Sequence, residues 1–183
     1  MRIIAGTARG TRLGSVPPGT RPVSDRAREG LFSSLGDAVA GAHVLDLYAG
    51  TGALGLEARS RGATSVVFVD RDRAATTSIR DNLARTRLGP ASVVTAEVGR
   101  FLAREGDPAA LADLVFLDPP YDLEGPDLDR VLARLGSSPL PPGSRTVILT
   151  RATRSSTPVI PLHWGVSRRL EYGDTAVLIL REA

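Results

Sequence analysis

Residues 114–125 read LVFLDPPYDLEG: an apolar run ends in an acid, two prolines and an aromatic ring. Proline fixes φ and carries no N–H, so a strand cannot carry its ladder through Pro119 and Pro120. Such a stop could be a terminator and nothing more. It could also do chemistry. The Pro119 carbonyl, aimed outward, and the Asp118 carboxylate would form two acceptors for the two hydrogens of an exocyclic amino group. Tyr121 would offer a face for a flat base. A nitrogen conjugated to an aromatic ring is a poor nucleophile because its lone pair is delocalised. Acceptors on its protons favour a pyramidal nitrogen and free that pair, and in-line placement supplies the rest. Such a tip would suit methyl transfer to an amino group, a reaction that needs no metal and no covalent intermediate. A base inside a helix would first have to leave its stack.

A second constellation lies upstream. VLDLYAGTGALGLEA places Gly50, Gly52 and Gly55 between an apolar run and a helical pattern. Gly50-x-Gly52 permits a tight turn and close backbone approach to a ligand. The spacing matches a dinucleotide fingerprint, but a lone match of that kind is weak. Asp46, four residues before Gly50, argues against a pyrophosphate and for a ligand with a cationic tail. Asp70 closes the next apolar run, where a carboxylate can accept from ribose hydroxyls, with Arg71 beside it. Glu97 and the Val98 N–H could meet an adenine, or Glu97 could simply cap the helix that follows. The candidate cofactor residues are therefore Asp46, Ala49, Gly50, Gly52, Asp70, Arg71, Glu97 and Val98. Together they suit an adenosine with a cationic tail. S-adenosylmethionine fits, and NAD is the alternative on geometry alone.

These residues need elements to position them. From residue 43, short apolar runs alternate with amphipathic ones. Strands are expected at HVLDLY, TSVVFVD, ASVVTA, DLVFLD and RTVILT. Helices are expected at ALGLEARSRG, RAATTSIRDNLARTRLG, about 99–105 and DLDRVLARLG. This alternation implies a mostly parallel sheet wrapped by helices, an α/β fold with ligands at the C-terminal strand ends. GVSRRLEYGDTAVLILRE leaves no room for a helix and predicts a C-terminal antiparallel hairpin. Ahead of the sheet, SDRAREGLFSSLG predicts a helix capped by Ser24, with Ala27, Leu31 and Leu35 on one face and Gly36 at its end. Residues 1–23 read as a separate, basic, hairpin-like arm built on RIIAG and TRLGSV. Residues 24–183 read as the catalytic domain.

Composition excludes several classes. The chain has 183 residues and no cysteine, so disulfides, thiolate metal sites and cysteine nucleophiles are excluded. Two histidines, His43 and His163, exclude a histidine-rich metal site. No apolar run reaches spanning length and no signal peptide is apparent, so a cytoplasmic location is expected. The net charge is +3, and all 23 basic residues are arginine. Residues 1–30 hold six arginines against Asp25 and Glu29, or +4, more than the whole chain. A basic patch there suits a polyanion. A codon bias toward arginine and a solvated basic face are the plainer readings.

The quoted stretches together resemble a known family. RIIAGTARGTRL, RPVSDRAREGLFSSL, LDLYAGTGALGLEA and VFLDPPYD are similar to segments of the bacterial methyltransferases that modify the N2 amino group of a guanine in 16S ribosomal RNA. The resemblance runs nearly end to end, and the first two stretches are the discriminating ones. It implies a class I methyltransferase, Rossmann-like, with a seven-stranded sheet of order 3-2-1-4-5-7-6 and S-adenosylmethionine as cofactor. It implies that Asp46, Gly50 and Gly52 line the methionine side, that Asp70 meets the ribose and that Glu97 and Val98 meet the adenine. Asp118, Pro119, Pro120 and Tyr121 would hold the guanine. The helix carrying Asp25, Arg26 and Glu29 would border the site. Arg2, Arg9, Arg12, Arg21 and Arg26 would grip phosphate. The partner would be 16S ribosomal RNA, in a small subunit or its assembly intermediate, and the enzyme a monomer. The family often carries an acid just past the fifth strand, where this chain has Thr150 and Arg151. The competing readings are an amino-methyltransferase acting on adenine or cytosine of DNA, a non-catalytic RNA-binding module and, more remotely, a dehydrogenase.

Overall fold

A computed structural model of the chain describes residues 1–14, 23–104, 109–120, 123, 125–137, 145–156 and 158–182. The expected alternation is present. Strands β1 (His43–Leu47), β2 (Ser65–Asp70), β3 (Ser92–Thr95), β4 (Leu114–Leu117), β5 (Thr146–Ala152), β6 (Trp164–Tyr172) and β7 (Thr175–Glu182) form one sheet of order 3-2-1-4-5-7-6. The first five are mutually parallel, and β7 pairs antiparallel with both β5 and β6. This is the class I methyltransferase order. Helices are α1 (Asp25–Leu35), α2 (Ala53–Ser60), α3 (Arg73–Thr86), α4 (Val98–Leu102) and α5 (Gly125–Gly136).

Side chains alternate across the sheet, so each strand feeds two cores. Val44, Phe68, Phe116 and Ile148 face α1, α2, α3 and the N-terminal hairpin, where they meet Ile3, Leu31, Phe32, Leu56 and Ile79. Leu45, Leu47, Val115 and Leu117 face α4 and α5, among Phe101, Leu102, Leu128 and Leu132. Burial on both faces explains why the parallel strands read as unbroken apolar runs.

The α1 helix forms as its sequence predicts. The Ser24 hydroxyl accepts from the Ala27 N–H, and Gly36 ends the helix with φ 54°. Phe32 anchors it on Phe116, ring centroids 5.6 Å apart. Gly30, a weak helix former, has a packing reason: a Cβ there would stand 1.8 Å from the Tyr172 hydroxyl oxygen at the end of β6.

Three expectations need correction. Helix α4 is shorter than read and stops at Leu102. Strand β5 runs two residues past the expected end at Thr150, so Arg151 too lies inside it, paired with Ala176, beside Thr150 paired with Val177. Arg28, counted in the basic patch, is fully buried. Its Nη2 donates to the Arg2 carbonyl and to Asp25, each at 2.7 Å, and Nη1 lies 4.0 Å from buried Glu57. One of the six arginines therefore works inside the protein.

Within the described residues 1–14, the N-terminal segment turns back on itself and is stitched to the sheet's helices. Arg2 and Arg12 pair antiparallel, and Ile3 and Leu13 donate to Thr11 and Met1. Glu57 on α2 accepts the Ile4 and Ala5 N–H groups at 2.8 and 3.0 Å, and Arg61 at 2.7 Å. Ser60 accepts from Ala8 and donates to the Ala5 carbonyl. Ile3, Ala8 and Leu13 enter the core. Buried Glu57 thus uses its charge to satisfy backbone donors and a guanidinium, the arrangement a buried carboxylate requires.

Candidate active site

Sheet order reverses between β1 and β4, and ligands of open α/β sheets bind beyond the strand tips at such a point. Register places Asp46 opposite Phe68 on β2 and Phe116 on β4. Asp118 follows directly on β4, with its N–H directed at the Leu47 carbonyl at 3.4 Å. Asp118 and Asp70 both act electrostatically on Asp46. The structure therefore places three sequence-predicted acids at or just beyond the C-terminal ends of three neighbouring strands.

Their environments differ. Asp46 is buried and accepts the Gly55 N–H at 2.9 Å. Burial pushes its carboxyl well above the ordinary range; the Gly55 bond opposes this, and Asp118 and Asp70 add to the rise. Gly55 has to be glycine for this contact, since a Cβ there would lie 2.4 Å from the Phe68 ring and 2.9 Å from Asp46. Asp118 is half-buried at the mouth, and burial lifts its carboxyl to about 7. Asp70 accepts from Gly50 through one oxygen and from Asp72 through the other, both at 2.9 Å.

The turn itself is tightly specified. Gly50 and Gly52 have φ 57° and 76°, a region closed to most side chains. Ala49 donates to the Val69 carbonyl, Gly52 donates to Ala49, and Leu56 starts α2 by donating to Gly52. A Cβ on Gly50 would meet nothing within 4 Å, so this glycine opens onto free space while Gly52 packs on Ile79 and Phe68. A backbone turn with an open face, bonded to Asp70 through Gly50 and to Asp46 through Gly55, fits a ligand that carries positive charge.

The other predicted residues fall as follows. Glu97 caps α4: its two oxygens accept from Gly99 and Arg100, each at 2.8 Å. The capping alternative is thus realised. Val98 is buried as the first residue of that helix, and Arg71 is exposed beside Asp70. Pro119 is buried and Pro120 exposed. The Pro120 carbonyl accepts from Leu123, whereas among the described residues no donor reaches that of Pro119. Arg2, Arg9, Arg12 and Arg26 are exposed. Asp25, besides holding Arg28, lies 4.0 Å from Arg2. Tyr121 and Arg21 lie outside the described residues.

Sequence reasoning missed Tyr48. It holds φ 58°, an uncommon state for a bulky residue, and takes the chain out of β1 into the turn. Burial raises its hydroxyl to about 12, with Glu97 and Asp127 adding to the rise and Arg71 opposing it. The signal was there: an aromatic residue wedged between a strand and a glycine turn has little choice but to bend the backbone.

Known proteins match this arrangement. Ribosomal RNA small subunit methyltransferase D of Escherichia coli K12 is 36% identical over 186 aligned residues, covering 100% of this chain and 91% of that protein. A Bacillus subtilis protein described as putative rRNA methyltransferase YlbH is 38% identical over 123 residues, 66% of this chain and 67% of its own. Among solved structures, the Escherichia coli putative methyltransferase yhhF superposes with a TM-score of 0.84 at 34% identity, covering 100% of this chain and 97% of the other. The Haemophilus influenzae putative methylase HI0767 gives 0.78 at 28% identity, covering 99% and 97%. Residues 1–181 match the family model described as conserved hypothetical protein 95, and the chain belongs to that family.

Proposed function

We propose that the protein transfers a methyl group from S-adenosylmethionine to the N2 amino group of a guanine in 16S ribosomal RNA. The observation that carries this reading is the Asp118-Pro119-Pro120 tip, delivered by β4 beside Asp46 and the glycine turn of β1. The full-length relative named as a small-subunit ribosomal RNA methyltransferase supports the substrate class. The guanine-N2 specificity rests on the Arg-Pro-x-x-Asp-Arg-x-Arg-Glu stretch at residues 21–29.

When bound, the cofactor supplies an electrophilic methyl on a sulfonium. The residues present fit it. Asp46 offers a buried carboxyl, whose ionised form a cationic ligand would favour, to the methionine side, and Ala49, Gly50 and Gly52 offer the open backbone turn. Asp70, held by Gly50 and Asp72, retains lone pairs for ribose hydroxyls beside Arg71. Glu97, fixed by α4, retains lone pairs toward an adenine amino group, and the Val98 backbone borders the same ring. Asp118 and the Pro119 carbonyl accept the two amino hydrogens of the guanine, while Tyr121 stacks on the base. Nitrogen would gain its bond to the methyl carbon as that carbon's bond to sulfur breaks and a neutral thioether leaves, and the Asp118 carboxylate would take the proton that nitrogen loses. A carboxyl near 7 is suited to that exchange at neutral pH. The exposed Arg2, Arg9, Arg12 and Arg26, with Arg21, hold RNA phosphate, a salt-sensitive contact without sequence information.

The test uses full-length protein, methyl-labelled cofactor and small ribosomal subunits from a strain lacking this gene. Label should enter 16S RNA and digest to N2-methylguanosine. Label confined to DNA, or recovered as N6-methyladenosine, would sink the proposal.

A further inference from the structure

Asn82, on α3, belongs to none of the residues assigned above, yet it is fully buried. Its Oδ1 accepts the Gly14 N–H at 2.8 Å, and its Nδ2 donates to the Thr51 carbonyl at 3.0 Å. The amide orientation is forced, because a backbone N–H can only donate and a carbonyl can only accept. One carboxamide therefore bridges the basic hairpin and the glycine turn. Gly14 lies two residues beyond exposed Arg12, and Thr51 lies between Gly50 and Gly52. The bridge is rigid at its base, since Thr86 Oγ1 donates to the Asn82 carbonyl at 2.8 Å.

We propose that Asn82 is a positioning residue that couples RNA engagement by the hairpin to cofactor binding by the glycine turn. The inference rests on the RNA and cofactor reading above. Phosphate held by Arg12 keeps the Gly14 N–H on Oδ1. The other end of the amide then keeps the Thr51 carbonyl turned toward α3, which sets the Gly50–Gly52 backbone in the shape the ligand meets. Coupling of this kind is reciprocal, so each ligand tightens the other by one factor. A solely structural Asn82 would lower stability and weaken both ligands, but would leave their mutual effect unchanged.

The experiment measures the Kd of S-adenosylhomocysteine, which cannot react, for the full chain with and without saturating small subunits from the deletion strain. The parent should bind it about fivefold tighter or more with subunits present, the lower end of usual couplings. Asn82→Asp keeps the acceptor for Gly14 and loses the donor to Thr51. The ratio should fall to near one, with affinity for subunits within about twofold of the parent on the same scale of coupling. Gly14→Pro removes the donor at the opposite end and pushes its ring against Asn82 Oδ1, breaking the bridge there, and should also bring the ratio to near one should Asn82→Asp fail to fold. A ratio near one in the parent, or a parental ratio in either folded variant, overturns the inference. A parent that binds subunits and methylates them with a ratio of one removes the coupling alone. A parent that binds no subunits removes the proposed function.

Discussion

Asp118 should govern the pH dependence of methyl transfer. Burial raises its carboxyl from an ordinary 3.8 to about 7, and the proposed chemistry needs the ionised form. Simple titration then leaves about one tenth of the enzyme ionised at pH 6 and about nine tenths at pH 8. Single-turnover rates at low cofactor and subunit concentrations should rise nearly tenfold between those values and then level. Saturating cofactor should move the midpoint below 7, because a bound cation favours the carboxylate. Asp118→Asn should lower the rate by about 10²–10⁴-fold and remove the inflection, since an amide turns a donor toward the guanine amino group. Stability gives an independent readout. The folded state holds this proton more tightly than the unfolded chain, so stability falls as pH rises from about 4 to about 7 and stays lowered above that. The shift corresponds to at most about 4 kcal/mol, at ~1.4 kcal/mol per tenfold. Asp118→Asn should therefore be more stable than the parent at pH 8, with the advantage gone at pH 4. A pH-independent parental rate, or a variant that melts below the parent at pH 8, would refute the reasoning.

Other substitutions test the frame around the site. Glu57→Gln should cost about 3–5 kcal/mol in urea unfolding, because it strips a buried carboxylate from Arg61, Arg28 and two backbone donors. Gly30→Ala should destabilise by about 1–3 kcal/mol despite alanine's better helix propensity, since the new Cβ meets the Tyr172 hydroxyl; Tyr172→Phe should restore part of the loss. Arg9→Ala and Arg12→Ala should each weaken subunit binding and reduce the slope of log K against log salt by about one. Point substitution is the cleaner probe here than deleting the hairpin, which would pull Ile3, Ala8 and Leu13 out of the core. An unchanged salt slope would return these arginines to a solvated basic face.

Much of this protein is written locally. Hydrophobic period separates β2 from α3, because a buried parallel strand and an amphipathic helix leave different patterns within a few residues, whereas α2 is buried nearly all round and is marked by the glycines that flank it. Ser24 and Gly36 mark the ends of α1 through their own short-range bonds. Asp46, Asp70 and Asp118 are legible as site candidates because each stands at or near the end of an apolar run, and parallel topology sends all such ends to one edge.

Tertiary structure decided what local sequence leaves equal. Arg26 and Arg28 sit two residues apart in one basic helix, yet Arg26 is exposed and Arg28 is fully buried, because Arg2, Glu57 and the helical turn put only the second against α2. Asn82 looks like any polar residue on α3 until Gly14 and Thr51 arrive from two distant segments to take both ends of its amide. The raised carboxyl of Asp118 has the same origin. A side chain's period can be read from its neighbours in the chain, but its burial, charge and partners come from residues that meet it only after the chain has folded.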